Sequence, residues 1–305
     1  MARDVYKYVV VLLTRTSLEF PYATVSNAHG LLKLQLTIYI VIMATSATSN
    51  SLAKVNIHSH PVADLLDTAG GISALVDIIY GQPAKPPSLY IDLEGVNLSR
   101  HGSISILQIY LQPENRTYLV DIHTLGHTAF STRGSNGSTL KELLESESIP
   151  KVFFDVRNDS DALYSHFQIK LAGIQDLQLM ELATRTFSKA HVNGLGRCIE
   201  RDAPLSSSER VTWKLAKEKG LKLFAPERGG SYEVFNQRPV SDEIRLYCVQ
   251  DVRFLPQLWN LYHSKMTQLW KDRVQEASRD RVRMSQSRDY IGKGQHMALA
   301  PAGWS

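Results

Sequence analysis

The chain has 305 residues, 43% apolar and 21% charged, with 18 Gly and 12 Pro. This composition excludes collagen-like, low-complexity and wholly disordered chains. Two cysteines, Cys198 and Cys248, are too few for a disulfide framework or a cysteine-rich zinc site and suit a reducing compartment. The formal charge of +4, from 34 basic and 30 acidic residues, does not by itself mark a nucleic-acid binder.

The first 42 residues hold two acids, Asp4 and Glu19, against four bases, Arg3, Lys7, Arg15 and Lys33. Their apolar runs, 8–13 and 34–44, fall short of the roughly 18–20 residues that span a bilayer. No stable membrane insertion is therefore expected, and a secretory signal peptide fits poorly. The segment reads either as an acid-poor organelle transit peptide or as an extension upstream of a more natural start at Met43. Residues 1–50 are expected to lie outside the folded core. The expected compartment is intracellular, nuclear or cytoplasmic, with a mitochondrial one if the segment is a transit peptide.

From Val62 the pattern becomes regular. A strand is expected over 62–67, then a helix capped by Thr68, with Ile72, Leu75, Val76 and Ile79 at helical spacing and an end near Gly81. After the Pro-rich stretch 82–88, strands are expected at 89–93, 103–111 and 117–121. Short turns such as 112–116 suit an antiparallel meander. Past the Gly/Ser-rich loop 133–138 come a helix over 139–147, a buried strand at 151–155 and helices over 159–167 and 180–188. A further helix over 209–219 is expected to stop at Gly220. Residues 225–240, with Pro226, Gly229, Gly230 and Pro239, read as a long loop. A long helix over 241–264 should be kinked or divided by Pro256, and 265–288 continues as a polar helix. Strands first, then helices alternating with strands, predict an α/β domain with a mixed sheet flanked by helices. The expected domain covers 62–266, with a polar helical extension and tail over 267–305.

Three motifs carry chemistry. Asp92 and Glu94 lie two apart on a strand, so they share one face at its C-terminal end. Like charges at the edge of a core cost energy unless a cation neutralises them. Tyr247 and Asp251 are i and i+4 on the long helix, where an amphipathic surface pair is the plain structural alternative. Between them, Asp155, Asp159 and Asp161 compete for one role. With Asn158 as N-cap, Asp161 falls where an acid supports the cap and the helix dipole. Asp159 instead shares the inward face of Leu163 and Phe167, so it is assigned to the site, and Asp155 is the weakest of the three.

Together these motifs resemble the DEDD superfamily of 3′–5′ exonucleases, in the DEDDy subclass that carries Tyr in its last motif. Within that subclass the motifs are similar to those of ribonuclease D, the Werner-syndrome exonuclease domain and the 3′–5′ exonuclease domain-containing proteins. Asp92 and Glu94 match the first motif, Asp159 the second, and Tyr247 with Asp251 the third, across about Val62 to Met266. One departure is Phe154, where ribonuclease D-like motifs often carry His. The resemblance implies a ribonuclease H-like fold and a two-metal 3′–5′ exonuclease acting on single-stranded RNA or DNA ends and releasing nucleoside monophosphates. Asp92, Glu94, Asp159 and Asp251 would be the metal ligands, and Tyr247 would orient the attacking water. An all-carboxylate set suits two Mg²⁺ or Mn²⁺ ions rather than zinc. The alternative is a catalytically weak or inactive module of the same fold that binds RNA or a protein partner. Oligomeric state is not legible.

Other features are weaker. His58 with His60, and His123 with His127, lack the further ligands that a zinc site needs. Eight bases and four acids over 265–293 read as a solvated helical face rather than a phosphate track. Arg228 and Gly229-Gly230, just before the last motif, are candidates for approaching nucleic acid.

Overall fold

In the computed structural model, which describes residues 63–304, the strands are β1 (Ala63–Leu66), β2 (Leu89–Glu94), β3 (Ile106–Leu111), β4 (Arg116–Asp121), β5 (Lys151–Phe153) and β6 (Ile174–Asp176). They form one six-stranded sheet in the order β1-β4-β3-β2-β5-β6. The expected meander is present as antiparallel β2–β3–β4. β1 joins β4, β5 joins β2 and β6 joins β5, all in parallel. The ribonuclease H-like α/β expectation therefore holds. The readings of residues 1–50 and of His58 and His60 lie outside the described residues.

Besides two four-residue helices, Ile122–Leu125 and Thr128–Ser131, the α-helices among the described residues are α1 (Ala69–Tyr80), α2 (Leu140–Glu145), α3 (Arg157–Phe167), α4 (Leu177–Thr184), α5 (Leu195–Asp202), α6 (Ser207–Phe224), α7 (Asp242–Arg253), α8 (Leu255–Lys265) and α9 (Gln268–Ser285). Several boundaries follow from local chemistry. Thr68 accepts a hydrogen bond from the Gly71 N–H, and Gly81 closes α1. Thr139 and Glu142 form a reciprocal capping box at α2. Pro256 divides the long helix, because it lies in the first turn of α8, where its missing N–H costs little. Among the described residues no helix is long and apolar enough to cross a membrane.

Period-two alternation on β2 decides where the chemistry goes. Leu89, Ile91 and Leu93 face a core shared with Ile72, Leu75 and Val76 of α1 and Leu140 and Leu143 of α2. Tyr90, Asp92 and Glu94 face the other side, where α7 packs across β2, β3 and β4. The parallel pairing of β2 with β5, which sets Tyr90 opposite Val152, brings the start of α3 to the carboxyl end of β2.

Some local expectations give way to tertiary contacts. β6 is short and carried no clear periodic signal, and α5, with Leu195, Cys198 and Ile199 at helical spacing, was not among the expected helices. Gly220 does not end α6, which runs on to Phe224. α3 begins at Arg157 after Val156, so Asn158 is not its N-cap; Asn158 Oδ1 instead accepts from the Tyr290 hydroxyl at 2.9 Å. No side chain caps α3; Asp176, at the end of the neighbouring strand β6, instead holds the turn before it, accepting the N–H groups of Asp155 and Val156 at 3.1 and 3.2 Å. That arrangement holds Asp155 at a positive φ of 63°. The basic stretch also differs in part from a solvated face. α9 packs on β6, α3 and α4, and Arg281 is buried in an ion pair with Asp176 at 2.7 Å.

Candidate active site

The β2 alternation and the α7 helix bring three of the expected acids together. Asp92 and Glu94 rise from β2, Asp251 descends from α7, and one carboxylate oxygen of each lies within 4.8 Å of the others. Among the described residues this is the one such group of three His, Cys, Asp or Glu ligands; His123 and His127 are not part of any. Asp159 of α3 stands outside this tight set but beside it. It is 5% exposed, one of its carboxylate oxygens has no hydrogen-bond partner, and the charge of Asp92 raises its carboxyl. Three acids thus meet at the carboxyl end of β2, and Asp159 lies near enough to feel the charge of Asp92 and to act on Glu94.

The electrostatics show how unfavourable this arrangement is by itself. Burial pushes Asp92 up to about 8, with the charge of Asp251 adding to the effect and Lys217 pulling against it. Glu94 is raised well above the ordinary carboxylate range by burial, then by Asp92 and Asp251. Asp159 is raised in the same way by burial and then by Asp92. Clustered carboxylates whose protons are held this firmly are the donors expected of a site completed by a cation. An all-oxygen set, with a spare buried oxygen on Asp159, fits Mg²⁺ or Mn²⁺.

Tyr247 lies one helical turn before Asp251 and is buried, with its ring edge-on to Phe224 at 4.9 Å. Burial, then the charges of Asp251, Glu94 and Asp92, push its hydroxyl far above the ordinary range. Cys248 beside it is fully buried and its thiol is also pushed up by burial, so it behaves as a core side chain.

The other two aspartates are structural. Asp155 is tied to Arg157 at 2.6 Å and to Arg281 at 3.4 Å. Burial would raise its carboxyl, but those guanidinium contacts outweigh it and hold it low. Asp161 does not support its own helix cap. It accepts from the backbone N–H and the guanidinium of Arg100 at 2.8 and 2.7 Å and so pins the loop after β2. Arg228 is paired with Glu218 at 2.7 Å on the surface.

Two residues of the site were not assigned to it from the sequence, Gly220 having been read only as a helix stop. Lys217 of α6 forms an ion pair with Asp251, and its ammonium lies 4.2 Å above the Tyr247 ring. Gly220, one turn on, presents bare backbone to that ring; a Cβ there would come within 2.3 Å of Tyr247 Cδ2. Trp213, Ala216, Gly220 and Phe224 are the buried stripe of α6. A lysine four residues after Trp213 and a glycine within that stripe were the available signals.

A 3′–5′ exonuclease family model matches residues 72–267 of the chain. The mouse piRNA biogenesis protein EXD1 is 37% identical over 98 residues, covering 32% of this chain and 16% of that protein. The chain therefore matches only about a sixth of that curated relative's length. Two structures of Trypanosoma brucei RNase D share the fold at 21% identity and a TM-score of 0.62. The complex with GMP is covered over 80% of this chain and 70% of that one, and the complex with RNA U12 over 79% and 77%.

Proposed function

The chain belongs to the 3′–5′ exonuclease family, and we propose that it hydrolyses phosphodiester bonds from the 3′ end of single-stranded nucleic acid, releasing nucleoside monophosphates. The observation that carries this reading is the convergence of Asp92, Glu94 and Asp251 within 4.8 Å, with Asp159 alongside. The four acids would hold two divalent cations, Mg²⁺ or Mn²⁺. When bound, such ions supply Lewis-acid stabilisation of the attacking and leaving oxygens of an in-line displacement.

The protein's own groups do the rest. Asp92 and Glu94 are held on a strand and Asp251 on a helix packed against it, so the ligand spacing is set before substrate arrives. Tyr247 keeps its proton, because burial and three nearby carboxylates oppose a phenolate. Its hydroxyl therefore orients the attacking water by hydrogen bonding instead of acting as a base. Phe224 and Gly220 confine the ring to that task.

The test is to incubate the full chain with 5′-labelled single-stranded and duplex RNA and DNA, in Mg²⁺, Mn²⁺ or chelator. A ladder shortening from the 3′ end is expected with metal and none with chelator, and the preferred polymer identifies the substrate. Asp92→Ala, Glu94→Ala and Asp251→Ala should each lower turnover by at least about 10²-fold, non-additively, because the acids act as a unit. Near wild-type activity in any of the three overturns the assignment. Binding without shortening by the unmodified chain identifies a passive nucleic-acid module.

A further inference from the structure

A single ammonium group already stands among the carboxylates. Lys217 Nζ donates to Oδ1 of Asp251, a carboxylate of the acidic cluster, and sits over the face of the Tyr247 ring. Its side chain is 17% exposed while that of Asp251 is 4% exposed, so a side chain that still reaches solvent is paired with a buried carboxylate. Its charge also favours the ionised forms of Asp92 and Glu94. Lys217 is thus the counter-charge that lets these acids approach one another.

We propose that Lys217 is a built-in counter-cation that competes with the divalent metal for Asp251, so that loading the site requires the lysine to release that carboxylate. This rests on the divalent-metal part of the nuclease reading. An ammonium and a divalent ion repel one another and cannot share one buried carboxylate oxygen without cost. A lysine suits this role, being a compact charge on a flexible four-carbon stem that is already partly exposed. The consequence is a metal affinity lower than the carboxylates alone would give, in exchange for a pocket that stays assembled when empty of metal.

The test is calorimetric or paramagnetic titration of the full chain with Mn²⁺, comparing the unmodified protein with Lys217→Met, Lys217→Gln and Lys217→Arg. Removing the competing charge should tighten Mn²⁺ binding about tenfold or more in the Met and Gln variants, within the range typical of coupled sites. The Arg variant, which keeps the charge, should bind within a few-fold of the unmodified chain. In chelator, Lys217→Met should melt below the unmodified chain, and Mn²⁺ should raise its melting temperature by more, as tighter binding to the folded state requires. Unchanged or weaker Mn²⁺ binding in both neutral variants overturns the inference while leaving the nuclease reading intact. No Mn²⁺ uptake by the unmodified chain or any variant overturns both.

Discussion

Gly220→Ala sets two effects of opposite sign against each other. In a helix interior Ala is favoured over Gly by about 1 kcal/mol, so α6 on its own would gain. The new Cβ, however, would lie 2.3 Å from Tyr247 Cδ2, 2.8 Å from Cγ and 3.0 Å from Cβ. Carbon atoms in contact prefer about 3.5–4.0 Å, so the ring or the helix must give by about 1 Å. Overpacking of this kind costs about 1–3 kcal/mol, and the ring has little freedom with Phe224 on one side and Lys217 above it. The net expectation is a loss of about 0–2 kcal/mol, or up to about 8 °C at 2–4 °C per kcal/mol. The functional cost should be larger, because a misplacement of about 1 Å at a positioning group can lower the rate about 10²-fold. Single-turnover hydrolysis of a labelled oligonucleotide in Mg²⁺, with enzyme in excess, measures it. In a Tyr247→Phe background the same substitution should add little, since both changes act through one hydroxyl. A Gly220→Ala protein that is more stable by about 1 kcal/mol and fully active would refute the reasoning, for the helix term alone would then have operated.

The assignment of the two aspartates in α3 separates cleanly. Asp159→Asn should abolish hydrolysis while leaving the metal-free protein equally or more stable, since the amide replaces a buried acid whose ionised form burial and Asp92 already oppose; thermal melts in chelator beside activity assays decide this. Asp161→Ala should instead cost about 3 kcal/mol, because it strands Arg100 and a backbone N–H that it now accepts, and loss of activity without loss of stability would contradict this. The raised carboxyls also set the pH dependence of the metal-free chain. Asp92 titrates near 8 when folded and about 3.9 when unfolded, so over pH 5–7 the folded state binds more protons and stability must fall as pH rises. Melts in chelator should show that decline, Glu94→Gln should flatten it, and saturating Mg²⁺ should reverse it; a chelated protein that gains stability from pH 5 to 7 equally with and without Glu94 would be inconsistent with the cluster.

The amino-acid sequence alone determined what depends on neighbours a few residues away. The Thr68 and Thr139 caps, the break at Pro256 and the meander are settled by short-range hydrogen bonding, ring geometry and periodicity. So is the placement of Asp92 and Glu94 on one face, because a strand alternates with period two whatever surrounds it. The three motifs were legible in the same way, as residue types at fixed offsets within single elements. What lies between elements was not. Asn158 had the look of a cap, yet α3 has no side-chain cap and Asp176, from the end of another strand, holds the turn before it; Asp161 had the look of its partner, yet it serves Arg100. Gly220 had the look of a helix stop, yet α6 passes through it so that the Tyr247 ring can approach. Lys217 stands 34 residues before Asp251, and only the packing of α6 on α7 puts its ammonium against that carboxylate. Capping and alternation are local energies that the chain carries wherever it goes, whereas charge pairing and close packing exist only once distant segments have been brought into contact.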